Sequence, residues 1–329
     1  MNTLPVQRAS QLAVAGPQTQ WLIEGLWSEQ AVGILGGEPK CCKSFLALDV
    51  AVSVASGAPC LRQFKVQRTG SVLLYPAEDS LAVVRQRLEG IAAAAQVPFA
   101  SLPVQVITAA SLRLDTPTDR HRLADTVQAL RPVLLILDPL IRLHRVDEND
   151  ATQIATLLSF LRQLQRDFQL AVLLVHHSRK DSNSSRPGQA LRGSSELHGW
   201  GDSNLYLRRR GSQLTLSTEH RAAPSQDHIP LQLIQTQQSL TLTVVDPALA
   251  QPAPEASPID RVRQILAQLD QPTPLHHLRK LCGLRTAVVS SALAQLGQAH
   301  EVVHGPAGYQ LKTPLPVSRP IDPQGNGNG

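Results

Sequence analysis

The chain has 329 residues, a formal net charge of +5, 42% hydrophobic residues and only 3% aromatics. That length holds one large α/β domain plus a small second one, with apolar mass enough for a full core. No run of about 18 apolar residues occurs, so no membrane span and no membrane partner are expected. The modest positive charge lifts a polyanionic partner only slightly. The opening MNTLPVQRASQLAVAGPQ lacks a signal peptide's continuous apolar core. Four cysteines, two of them adjacent as Cys41 and Cys42, make no disulfide or zinc pattern. A cytoplasmic location is therefore expected.

Residues 1–30 read as an N-terminal lead-in. From 31 to 246, apolar runs alternate with amphipathic stretches, the pattern of a parallel α/β sheet. Strands are expected at AVGIL (31–35), SVLLYPA (71–77), VQVIT (104–108), VLLILD (133–138) and AVLLVHH (171–177). Helices are expected at SFLALDVAVSVASG and QIATLLSFLRQLQRDF. Past residue 203, NLYLRRR, QLTLST, IPLQLIQ and SLTLTVV read as short strands that extend the sheet in antiparallel fashion. Residues 247–258, rich in Pro and Ala, read as a linker. Residues 259–313 read as three helices and a hairpin, a winged helix-turn-helix-like domain. The last stretch, 314–329, reads as a disordered tail.

The first strand runs into GGEPKCCKS and then a helix. A P-loop needs Gly, four residues, Gly, Lys and then Ser or Thr, because backbone amides cradle phosphates, the Lys meets phosphate oxygens and the hydroxyl holds Mg2+. Gly37, Lys43 and Ser44 fit; Cys42 replaces the second glycine. The expected ATP-binding set is Gly37, Glu38, Pro39, Lys40, Cys41, Cys42, Lys43, Ser44 and Phe45. An ordinary strand–turn–helix connection is the rival reading of this stretch. Asp138, ending VLLILD, can bind Mg2+ or cap the next turn. Glu78 and Asp79 follow SVLLYPA, where a Glu can polarise an attacking water or merely face solvent. His176 and His177 end AVLLV, where a polar side chain can contact a γ-phosphate or sit in a core.

VLLYPAEDSLAVVRQRL, LLILDPLIRLH, VLLVHHSRK and LRGSSELHGWGDSNLYL together resemble RepA-type hexameric plasmid helicases and related RecA-like ATPases of mobile elements, across residues 25–245. The resemblance implies a RecA-like P-loop core that uses ATP and Mg2+. Lys43 and Ser44 become the phosphate and Mg2+ ligands, Asp138 the second metal residue, Glu78 the catalytic base and His177 the sensor. LSTEHRAAP is similar to the family's late strand that presents basic residues to a neighbouring subunit's ATP. Arg221 is then the arginine finger, with Arg192 as runner-up. The loop at 178–193, which carries Arg179, Lys180, Arg186 and Arg192, corresponds to the DNA-contacting pore loop of such rings and suits single-stranded DNA backbone.

The expected function is an ATP-hydrolysing DNA motor or helicase in plasmid or mobile-element replication, working as a homo-oligomer, a hexameric ring. Its rival is an ATP-controlled DNA-binding regulator or scaffold without strand separation. In the C-terminal segment basic residues outnumber acidic ones by six to three. Its third helix carries a single charged residue, Arg285, which suits protein docking as well as DNA contact.

Overall fold

In the computed structural model, which describes residues 4–12, 20–148, 150–177, 195–211, 213–235, 240–245, 257–269 and 271–312, the apolar runs become strands buried on both faces. The chain divides into two compact units, Met1–Ala250 and Gln251–Gly329. The first begins with a small hairpin, β1 (Trp21–Ile23) and β2 (Trp27–Ser28). There follow β3 (Val32–Gly37), α1 (Lys43–Ser56), β4 (Val72–Pro76), α2 (Leu81–Ala94), β5 (Val104–Val106) and α3 (Pro117–Leu130). Next come β6 (Leu134–Asp138), α4 (Ala151–Phe168), β7 (Ala171–His177), α5 (Ser195–Trp200), β8 (Ser203–Arg210), β9 (Gln213–His220), β10 (Ile229–Gln235) and β11 (Leu240–Val244).

Among the described residues these strands form one nine-stranded sheet in the order β11-β10-β9-β8-β3-β7-β6-β4-β5. Strands β8, β3, β7, β6, β4 and β5 run parallel; β9, β10 and β11 continue antiparallel. Side chains alternate between two apolar layers, as the two-residue period of a strand requires. Leu173 and Val175 of β7 face a layer that includes Leu46 and Val50 of α1. Val172 and Leu174 face the opposite layer, with Leu123 of α3 and Leu157 of α4.

Two features depart from the sequence reading. NLYLRRR is not part of an antiparallel addition: β8 pairs parallel with β3, Leu35 opposite Leu205 and Gly37 opposite Leu207. The stretch read as a lead-in packs into the main core, where Leu22, Ile23, Leu26 and Trp27 are buried. Two tryptophans and three aliphatics within seven residues bury enough apolar area to hold that hairpin down.

The second unit contains α6 (Pro258–Ala267), α7 (Leu275–Cys282), α8 (Thr286–Gln298), β12 (Val302–Gly305) and β13 (Gly308–Leu311). Its core is Val262 and Leu266 from α6, Leu278 from α7, and Val289, Leu293 and Leu296 from α8. Arg285, Thr286, Ser290 and Ser291 lie exposed at and along α8. The loop at 178–193, most of the linker at 247–258 and the tail at 314–329 lie outside the described residues. No described helix is long and apolar enough to cross a membrane.

Candidate nucleotide site

The site is built at the carboxyl ends of the parallel strands. β3 ends at Gly37, where an added Cβ would lie 2.5 Å from the Leu207 carbonyl oxygen and 2.7 Å from Cys41 Sγ. Only glycine fits there. The chain then turns through Lys40 and Cys42, whose φ angles are 65° and 68°. Cys42 is the N-cap of α1 and caps it with no side-chain hydrogen bond. The first amides of the helix are thereby left for an anion. The left-handed backbone at Cys42 explains why a P-loop favours glycine here: a Cβ in that region costs about 1 kcal/mol.

Lys43 is buried and donates to the carbonyls of Gly37 (2.9 Å) and Glu38 (2.8 Å). Burial pushes its pKa down, while Cys41 and Asp138 pull it back up. Ser44 hydrogen-bonds Asp138, but burial dominates that carboxyl and, with Asp79 and Glu78 nearby, raises its pKa to about 6. A hydroxyl and a crowded carboxylate in contact are hard oxygen donors, the set that Mg2+ prefers. The residues present therefore fit a nucleotide with its metal: Ser44 and Asp138 would hold the ion, and the loop amides and Lys43 the phosphates.

The cleft, about 280 Å3, is lined by Lys40 through Phe45 together with Glu78, Asp138 and His177. Gly37, Glu38 and Pro39 form the first half of the loop. The strand order explains the convergence: β7 lies beside β3, β6 beside β7 and β4 beside β6, so that His177, Asp138 and Glu78 leave successive neighbouring strand ends. His177 has its pKa lowered by burial and further by Lys43, which favours a neutral imidazole. Glu78 is ion-paired: Arg142 Nε donates to its Oε1 at 2.9 Å.

Arg221 is not in the cleft. It follows β9, donates to the Gly199 carbonyl at 3.0 Å and pairs with Asp202 at 3.2 Å. Ser203 opposite His220 and Leu207 opposite Leu216 put it at the other end of the sheet from Gly37. With Arg221 opposite Asp202, the offset is roughly 17 Å along the strand at about 3.3 Å per residue. The cleft of the same chain is out of its reach. Arg192 lies outside the described residues.

Three arginines near the cleft escaped the sequence reading. Arg209, near the end of β8, donates to Cys42 Sγ at 3.2 Å. Arg87 of α2 pairs with Asp79 and lies over the Phe45 ring, 4.8 Å from its centroid. Arg142 holds Glu78. The run Arg208-Arg209-Arg210 was the visible signal. It pointed nowhere until β8 was known to run parallel to β3, which carries its end to the P-loop.

A family model described as an AAA domain matches residues 2–183. This chain belongs to that family, a family of P-loop ATPases. The match takes in Lys43, Glu78, Asp138 and His177 and stops before Arg209 and Arg221. Among solved structures, the chain is similar to a DnaB-like replicative helicase studied in its interactions with primase. That likeness has a TM-score of 0.51 and 15% identity over 65% of this chain. The chain spans 57% of that helicase's length. It is also similar to a second solved protein, an ATPase domain, with a TM-score of 0.50 and 16% identity, over 65% of this chain and 85% of that one. At such identities the likeness is one of fold: a RecA-like P-loop core.

Proposed function

We propose that the chain is an ATP-hydrolysing DNA motor of the RepA-helicase type, acting as a ring of identical subunits in plasmid or mobile-element replication. The observation that carries this reading is the meeting of Lys43, Ser44, Asp138, Glu78 and His177 in one cleft at the carboxyl edge of a parallel sheet. ATP would take Lys43 from the two carbonyls it now satisfies. Ser44 and Asp138 would hold Mg2+, whose charge offsets that of the phosphate oxygens. Glu78, once free of Arg142, accepts a proton from the attacking water. Neutral His177 offers a hydrogen bond at the γ-phosphate. Arg221, turned away from its own cleft, supplies positive charge to a neighbour's ATP.

The loop at 178–193 would track single-stranded DNA by phosphate contacts. The second unit, three helices and a hairpin, is read as a winged-helix-like module that meets DNA or a protein through α8. Fold similarity to a replicative helicase and to an ATPase domain is support for a motor, not for its substrate. The test is ATP turnover with and without single-stranded DNA, run alongside oligomer mass and strand displacement on forked DNA. Turnover stimulated by DNA in a multi-subunit ring that opens forks is expected. An inert monomer would sink the proposal.

The Arg142–Glu78 pair favours a second reading, an ATP-controlled DNA-binding regulator in which ATP governs assembly and turnover stays slow. Slow turnover unaffected by DNA, with ATP-dependent assembly and no strand displacement, would select it.

A further inference from the structure

Behind the nucleotide cleft lies a buried polar cluster that the chemistry above does not use. His177 faces the cleft, so the strand alternation turns His176 to the opposite side, toward the layer of Val172 and Leu174. The His176 side chain is 2% exposed, and that of His144 is fully buried. Glu148, 14% exposed, stands between them: its Oε1 lies 3.8 Å from His144 Nε2 and its Oε2 lies 3.6 Å from His176 Nε2. At those separations the contacts are longer than direct hydrogen bonds. His176 Nδ1 is buried and has no hydrogen-bond partner among the described residues. Among the described residues no cluster of His, Cys, Asp and Glu is arranged to hold a metal ion, so a metal does not account for it.

Burying a carboxylate between imidazoles, in a layer of leucines, stabilises less than an apolar replacement would. What the cluster does supply is a fixed orientation. His144 and Glu148 belong to the segment that follows Asp138. His176 belongs to the strand end that pairs with Gly36, while its neighbour His177 pairs with Gly37 of the P-loop strand. A hold on residue 176 from behind the sheet sets the rotation of the strand end, and with it the aim of residue 177 in front.

We propose that Glu148 is a positioning residue for ATP turnover, engaging His176 from behind the sheet to aim His177 into the cleft and tie it to the segment after Asp138. This rests on the ATPase reading above. The experiment is steady-state ATP turnover by the full chain in four forms: wild type, Glu148→Gln, His177→Ala and the double variant. Glu148→Gln and His177→Ala are each expected to lower kcat about tenfold, leaving KM for ATP within about threefold. The double variant should be no slower than His177→Ala alone, because Glu148 acts through that imidazole. Should Glu148→Gln not fold, the same cycle is run with His176→Gln, which removes the contact from the strand side. Losses that multiply in folded protein, or a wild-type kcat in Glu148→Gln, overturn the inference while leaving the ATPase reading intact. A wild-type chain that turns over no ATP overturns both.

Discussion

At the amino end of β3 and β8, Asp202 accepts the Val32 amide at 3.2 Å and pairs with Arg162 and Arg221. Arg162 also donates to the Trp200 carbonyl at 2.6 Å. At the carboxyl ends of the parallel strands β6 and β4, Asp138, Glu78 and Asp79 crowd one another, and after β3 Cys42 holds a left-handed backbone. One end closes its charges within the chain. At the other, Glu78 and Asp79 are paired with Arg142 and Arg87, while Asp138 stays buried beside those two carboxylates and helix amides face a cleft, an arrangement that a phosphate and a cation would complete. The sheet thus has a structural end and a binding end, and Arg221 stands at the structural one.

The sharpest way to break this comparison is to ask whether Arg221 serves a cleft it does not line. Arg221→Ala should leave ATP binding by isolated subunits intact and lower turnover of the assembled protein roughly 1,000-fold. Glu78→Gln should likewise bind ATP and lose turnover by roughly 100-fold or more. Mixing the two variants should restore part of the activity, since some interfaces then carry both wild-type residues. No recovery at any mixing ratio would place the finger elsewhere.

The structural end is tested by Asp202→Ala. It strips partners from Arg162, Arg221 and the Val32 amide, and should cost about 2–3 kcal/mol of stability in denaturant melts. ATP affinity should stay within about threefold. A large loss of affinity in still-folded protein would mean the two ends are not separate.

A pH series sharpens the comparison at the binding end. With Asp138 raised to about 6, the folded chain keeps a proton that the unfolded chain releases above its ordinary value near 4. In chelator, therefore, this group's contribution to stability declines as pH rises from about 4 to 6 and stays low above that. Asp138→Asn should melt higher than wild type at pH 7.5, with the gap closing toward pH 4. A gap that does not change with pH would remove Asp138 as the cause.

The smallest expected effect belongs to Cys42. Glycine relieves the left-handed strain, so Cys42→Gly should gain about 1 kcal/mol of ATP affinity or stability. Titrating ATP into reduced wild type, oxidised wild type and the glycine variant separates strain from a redox role. Equal affinities in all three would make Cys42 neutral.

The elements of the α/β core were legible because strands buried on both faces read as unbroken apolar runs, as in VLLILD and AVLLVHH. The cleft was legible at Lys43, Ser44, Asp138, Glu78 and His177, since strand ends are visible where apolar runs meet polar residues. Arg209 and Arg142 were not. Each lies near its partner only through pairing or looping across many residues, 167 for Arg209 with Cys42 and 64 for Arg142 with Glu78.

Local patterning by itself determined the central strands β3 to β7, where the P-loop lies and which residues stand at the strand ends, but not the hairpin of β1 and β2. Periodicity and backbone chemistry act over a few residues, so one sequence carries them. Strand order and direction were decided only in the tertiary structure, because they depend on which apolar faces close on one another at long range. That choice turned β8 parallel to β3 and brought Arg209 to the P-loop. It also sent Arg221 to the far end of the sheet, and set His176 against Glu148 on the face behind the site.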